Sequence, residues 1–136
     1  MRKILLYTGA GITLLFALLH GFFWKLGNWP EQLSTLTPDN SGIVQMLNVT
    51  SIYTLLCGAG ISLALAHKPS LVFVEKAFLL FMAGYYVMRV AFGLPFFGFS
   101  LEEVVVWAVC LSVASCYMLA YRLFRQMPGI KDQQVR

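Results

Sequence analysis

Charge is scarce in this chain. Only 12% of its 136 residues are Asp, Glu, Lys or Arg, about half of what a soluble domain carries. Too few polar groups remain to solvate a globule of this size. The shortage instead fits a protein whose solvent is largely lipid. Histidine is scarce too, with His20 and His67 the whole supply. The three cysteines, Cys57, Cys110 and Cys116, are odd in number, fall in apolar stretches and form no C-x-x-C pair. That spacing disfavours a disulfide framework and thiol redox chemistry, and buried cysteine usually behaves as a small hydrophobe. No G-x-G-x-x-G or P-loop occurs, so nothing points to a nucleotide cofactor.

What is abundant is apolar length. Hydrophobic residues make up 59% of the chain, and mean hydropathy is +0.73. Four runs, 4–24, 43–66, 71–94 and 101–125, are each long enough to cross a bilayer as a helix, which takes about 20 apolar residues. The pattern predicts an all-α membrane protein, a four-transmembrane-helix antiparallel bundle forming one domain over 1–136. An extracytoplasmic loop at 25–42 and a cytoplasmic tail at 126–136 complete it. Met1-Arg2-Lys3 before an apolar run imitates a signal peptide. The run is long for one and no Ala-x-Ala site follows, so it reads as the first membrane helix.

The basic residues set the orientation. With the N-terminus inside, Arg2, Lys3, Lys68, Lys76, Arg122, Arg125, Lys131 and Arg136 are cytoplasmic, and only Lys25 and Arg89 are outside. Four of the six acids, Glu31, Asp39, Glu102 and Glu103, fall outside. This is the positive-inside bias, and it places both termini in the cytoplasm, in a multi-pass protein of a bacterial inner membrane. The net charge of +4 then reads as an orientation signal and a partner for anionic headgroups, not as a nucleic-acid surface. The expected partners are the bilayer and a homo-oligomer or larger membrane complex, with no nucleic acid.

Punctuation between the runs is clear. Gly27-Asn28-Trp29-Pro30 and Thr37-Pro38-Asp39-Asn40-Ser41-Gly42 are turn-forming clusters. Between them Glu31–Leu36 is predicted as a short interfacial helix opened by Pro30. Trp24 and Trp29 suit an aromatic belt. Lys68-Pro69 is expected to stop the second membrane helix and Gly93-Leu94-Pro95 the third. Met127-Pro128-Gly129 marks the break into the tail.

The polar residues of the spans gather toward one end. At 1.5 Å per residue, His20 and Arg89 lie about one turn inside the outer ends of the first and third helices. Gln45 and Asn48 occupy the first turns of the second, and Glu102 and Glu103 open the fourth, with Trp107 one turn deeper. Helical spacing also makes stripes of them: Gly9, Thr13, Ala17, His20, Trp24; Asn48, Ser51, Leu55, Gly58, Ser62; Met82, Tyr85, Arg89; and Glu103, Trp107, Cys110, Ala114, Tyr117, Tyr121. Such stripes should face inward. The expectation is an outward-opening pocket built from His20, Asn48, Tyr85, Arg89, Glu103 and Trp107, with Gln45 and Glu102 at its rim. Ionisable residues inside a membrane are functional candidates by default.

Each of these residues also has a plainer role. Arg89 can snorkel to the headgroups. Glu103 completes Ser100-x-x-Glu103, a capping box. His20 can bond a backbone carbonyl, and Asn48 can join helices. The expected internal chemistry is an Arg89–Glu103 ion pair, in which each charge offsets the cost of holding the other in low dielectric. A metal site from His20, Glu102, Glu103 and Asn48 is disfavoured, because one histidine without a second ligand cluster is weak and Arg89 and Lys25 repel a cation. A lone histidine is equally unsuited to haem.

Three function classes remain. First stands an accessory subunit or a lipid- or small-ligand-binding module. Second is a small enzyme doing acid–base chemistry on a lipid or isoprenoid, with His20 and Glu103 as acid and base and Arg89 as anion holder. Third is an oligomeric transporter, which would favour a mid-membrane acid and broken helices that the sequence does not offer.

Overall fold

The computed structural model describes residues 1–67 and 72–125. Five helices follow in order: α1 (Arg2–Leu26), α2 (Trp29–Ser34), α3 (Pro38–His67), α4 (Val72–Phe97) and α5 (Leu101–Arg125). No strand occurs among the described residues. All but α2 are long and apolar enough to span a membrane, so the chain is an all-α protein with four membrane-spanning helices. Only 28–33% of the most apolar window of each span is buried within the protein. Many of the other apolar positions, among them Leu15, Phe22, Met46, Val49, Phe81, Met88, Val105 and Leu111, are exposed. Patches of that extent need lipid or protein against them.

The start of α3 and the end of α4 differ from the sequence expectation. Residues 38–42 are not a turn but the first turn of α3. Thr37 caps that turn: its Oγ1 accepts the Asn40 N–H at 3.4 Å and its carbonyl accepts the Ser41 N–H at 2.9 Å. Pro38 then stands at the first helical position, where its missing N–H costs nothing and its fixed φ suits the helix. Likewise α4 runs through Pro95 to Phe97. It stops at Gly98, whose φ of +72° is the left-handed conformation of a helix C-cap, with the Gly98 N–H on the Leu94 carbonyl at 3.0 Å. The expected stop at Lys68-Pro69 and the break at 127–129 lie outside the described residues.

The chain divides into two compact units, Met1–Gly9 with Ser62–Arg136, and Ala10–Ile61. The first holds the antiparallel hairpin of α4 and α5, turned at Gly98-Phe99-Ser100, with the first residues of α1 and the end of α3. Its core is a run of i, i+3 and i+4 positions: Glu75, Leu79, Met82, Ala83 and Tyr86 on α4, and Cys110, Val113, Ala114, Tyr117 and Ala120 on α5. Tyr117 is its centre. The ring stacks on Tyr86 at 6.5 Å and meets the edge of Phe78 at 6.4 Å. The Tyr117 hydroxyl shares a hydrogen bond with Ser62 of α3 at 2.9 Å. On α1, a Cβ at Gly9 would come within 3.1 Å of the Tyr117 ring, so glycine there allows the two helices their close approach. Tyr7 Oη and His67 Nε2 lie 3.2 Å apart, joining α1 to α3. Arg2 of α1 forms an ion pair with Glu75 of α4.

The second unit holds the rest of α1, α2 and most of α3. Asn28, at φ 46° and ψ 44°, turns the chain after α1. A small amide side chain tolerates that left-handed conformation, and its Nδ2 donates to the Glu31 carboxylate. Trp29 then folds back so that its ring lies 6.3 Å from both Phe23 and Trp24. The short helix therefore begins two residues earlier than the sequence suggests, at Trp29, with Pro30 in its first turn. An open depression of ≈ 660 Å³ lies along it, lined by Trp29, Gln32, Leu33, Leu36 and Val44 among others.

Candidate functional site

The hairpin end of the first unit brings three of the expected residues together. Ser100 caps α5: its Oγ accepts the Glu103 N–H at 3.2 Å. That is half of a capping box. The Glu103 carboxylate does not complete the other half, because it is held across the hairpin by Arg89. The guanidinium donates from Nη1 to Glu103 Oε2 at 3.2 Å, and from Nη2 to Oε1 at 2.9 Å and to Oε2 at 3.2 Å. This two-pronged geometry is the strong form of an arginine–carboxylate contact. Phe97, in the last turn of α4, lies beneath the guanidinium, 4.8 Å from its carbon to the ring centroid, a cation–π distance. The Arg89 side chain remains 32% exposed while that of Glu103 is 13% exposed, so the pair is shielded on the carboxylate side and reachable on the guanidinium side.

Trp107 lies one turn deeper on α5, its ring edge-on to Phe99 of the turn at 6.0 Å. Its indole nitrogen sits over Gly93 of α4, where a Cβ would collide with it. Arg89 Nη1 approaches the same point to 2.8 Å. Gly93 is thus the small residue that lets an indole edge and a guanidinium share one spot on the α4 backbone. The indole N–H is buried there without a hydrogen-bond partner. A buried orphan donor costs roughly 1–3 kcal/mol, and native structures contain few of them.

The other expected residues are placed as follows. Tyr85 is half-buried on α4, edge-on to Tyr86 at 5.4 Å. Glu102 is exposed beside Glu103. In the second unit, the His20 Nδ1–H donates to the Phe16 carbonyl one turn back at 2.9 Å, and the ring leans on Phe23 at 4.8 Å. Asn48 of α3 donates from Nδ2 to the His20 carbonyl at 3.1 Å, joining α3 to α1. Gln45 turns back to its own helix, donating to the Ser41 carbonyl at 3.3 Å and hydroxyl at 3.2 Å. The structure therefore joins Arg89, Glu103 and Trp107 in one group, and Asn48 with His20 in another.

Sequence reasoning alone misses three residues. Gly93 looks there like part of a helix stop and Phe97 like part of a loop, yet both wall the Arg89–Trp107 cluster. The third is Glu75, which is fully buried and ion-paired with Arg2. Its spacing to Leu79, Met82 and Tyr86 places it on the inward face of α4. That signal is present in the sequence.

The fold and site define a class, a small multi-pass α-helical membrane protein with an arginine–carboxylate pair at one helix hairpin. Comparison with protein-family profiles, curated proteins and solved structures returns no match.

Proposed function

We propose that the protein is a non-catalytic, ligand-binding module of a bacterial inner membrane, with both termini cytoplasmic and the α4–α5 turn on the extracytoplasmic side. Its site is the guanidinium face of Arg89 together with the Trp107 indole N–H, walled by Gly93 and Phe97. The observation that carries this reading is the unpaired, buried indole donor beside a part-exposed guanidinium. An anionic oxygen from outside the chain would be attracted by the guanidinium, and it would satisfy the indole donor once the Trp107 ring turned that donor away from Gly93. The enzyme reading has less support. Its two candidate groups are already committed, His20 to the Phe16 carbonyl and Glu103 to Arg89. General acid–base chemistry needs a group placed on a reacting proton.

Native mass spectrometry of the full chain in mild detergent tests this. The expected result is a retained lipid or small molecule that Arg89→Gln and Trp107→Phe each release while the melting temperature stays within a few degrees of wild type. Retention unaffected by both variants would reduce the cluster to a staple between α4 and α5.

A further inference from the structure

The second unit carries a surface that the Arg89 cluster does not use. We infer that the open depression along α2 binds an organic cation, an ammonium carried on an apolar body. The inference stands apart from the binding reading above, because the depression is lined only by residues between Asn28 and Val44.

The walls follow from the turn after α1. Gly27 makes room for the Trp29 ring, which a Cβ at that position would strike. Asn28 supplies the left-handed turn that folds Trp29 back, and the ring then lies against Phe23 and Trp24. Leu33, Leu36 and Val44 extend the apolar lining. The space is ≈ 660 Å³, within the usual range for a small organic ligand.

Charge decides the sign of the ligand. Glu31 is the one charged residue lining the depression. Its carboxylate accepts a hydrogen bond from the Asn28 amide, a neutral donor that fixes the group in place and leaves its charge unbalanced. Residues 26–44 contain two acids, Glu31 and Asp39, and no Lys, Arg or His. An anion is therefore repelled. A cation is attracted by Glu31, and tryptophan, here Trp29, is the aromatic side chain that attracts cations most strongly. A bare metal ion does not suit the lining. Among the described residues, no group of three or more His, Cys, Asp or Glu side chains is placed to hold one, and an ion would leave the apolar walls uncovered. A neutral apolar molecule would cover the walls and gain nothing from Glu31. An ammonium bearing an aryl or alkyl group uses both.

The test uses the full chain in a maltoside detergent, with its indole nitrogens isotope-labelled. Trp24, Trp29 and Trp107 are the only tryptophans, so their indole N–H signals are assigned by replacing each in turn with phenylalanine. The probe is phenyltrimethylammonium, with tert-butylbenzene as its uncharged isostere and benzoate as the anion. The cation is expected to shift the Trp29 signal saturably, and to bind about fivefold tighter than either control, the upper range of a part-exposed ion pair. Glu31→Gln, at an exposed position, still offers Asn28 an acceptor. It should remove that advantage while leaving tert-butylbenzene unchanged. Leu36→Lys, also at an exposed position of the lining, should abolish the shift by the cation and let benzoate produce one. Dodecyltrimethylammonium separates two sources of the same chemistry. If it binds with the same Glu31 dependence and much more tightly, the ligand is an amine-bearing amphiphile of the bilayer; if the two bind alike, it is a soluble cation. Equal binding of tert-butylbenzene, or a cation shift that both variants leave unchanged, would overturn the cation. A shift at Trp107 in place of Trp29, or no saturable Trp29 shift with either cation, would overturn the site.

Discussion

At the residue scale, the buried Arg2–Glu75 pair is the sharpest energetic feature outside the proposed site. Glu75 is 0% exposed and the Arg2 side chain 13%. Each charge is tolerable only because the other is present, and removing one strands its partner. Breaking a buried pair in this way typically costs about 3–5 kcal/mol, whereas replacing both members with apolar residues of similar volume is often neutral. Glu75→Ala is therefore expected to lower the melting temperature sharply in detergent. The double variant Arg2→Met, Glu75→Leu should recover most of the loss. Equal destabilisation by the single and the double variant would mean that the pair contributes through packing alone. This pair also shows where single-residue reading of the sequence stops. Arg2 at a chain start looks like an orientation signal, and no local pattern couples it to an acid on a helix so distant in the chain.

At the element scale, the number and type of the long helices were legible because they depend on apolar run length, which the bilayer fixes. Their ends were not, because proline has two meanings. Pro38 begins a helix under the Thr37 cap, and Pro95 is carried inside the last turn of α4, yet in sequence both look like breaks. What stops α4 is Gly98 at φ +72°. The same residue sets the turn that presents Ser100 to α5 and so fixes Glu103 opposite Arg89. Gly98→Ala puts a Cβ into a left-handed conformation at a cost of about 1–2 kcal/mol. The expected outcome is a lower melting temperature together with faster amide exchange at residues 99–103, since the cap and the turn loosen together. Exchange unchanged at those residues would show that Ser100 alone holds the start of α5. The inward stripes read from helical spacing also hold in part for a physical reason. Gly9, Thr13 and Ala17, and Leu55, Gly58 and Ser62, are all buried; all but Leu55 are small or weakly polar, and positions with little apolar surface gain least from facing lipid.

At the scale of the whole molecule, the candidate site was legible as a list but not as a geometry. Depth along each helix follows from counting residues. Which uncharged side chains meet does not, because it depends on rotation about the axes and on where small residues open space. Hence the Arg89–Glu103 pair could be anticipated, while the place of Gly93 under Trp107 could not. Depth and orientation share one premise, that basic residues at both chain ends stay inside. The proposed site is extracytoplasmic only if that premise holds. A fluorescent protein fused after Arg136 is expected to be bright, and alkaline phosphatase at the same point inactive. Phosphatase inserted after Thr35, between α2 and α3, should be active. The bias itself can be moved: neutralising Arg2 and Lys3 while adding lysines beside Lys25 should convert a single orientation into a mixture, seen as phosphatase activity at both fusion points. The Arg2 substitution also breaks the Glu75 pair, so Lys3→Gln with the added lysines is the control that separates charge bias from lost packing. A C-terminal fusion that is dark and phosphatase-active in the unaltered chain would place Arg89 and Trp107 on the cytoplasmic side, and the ligand would have to be sought in that leaflet.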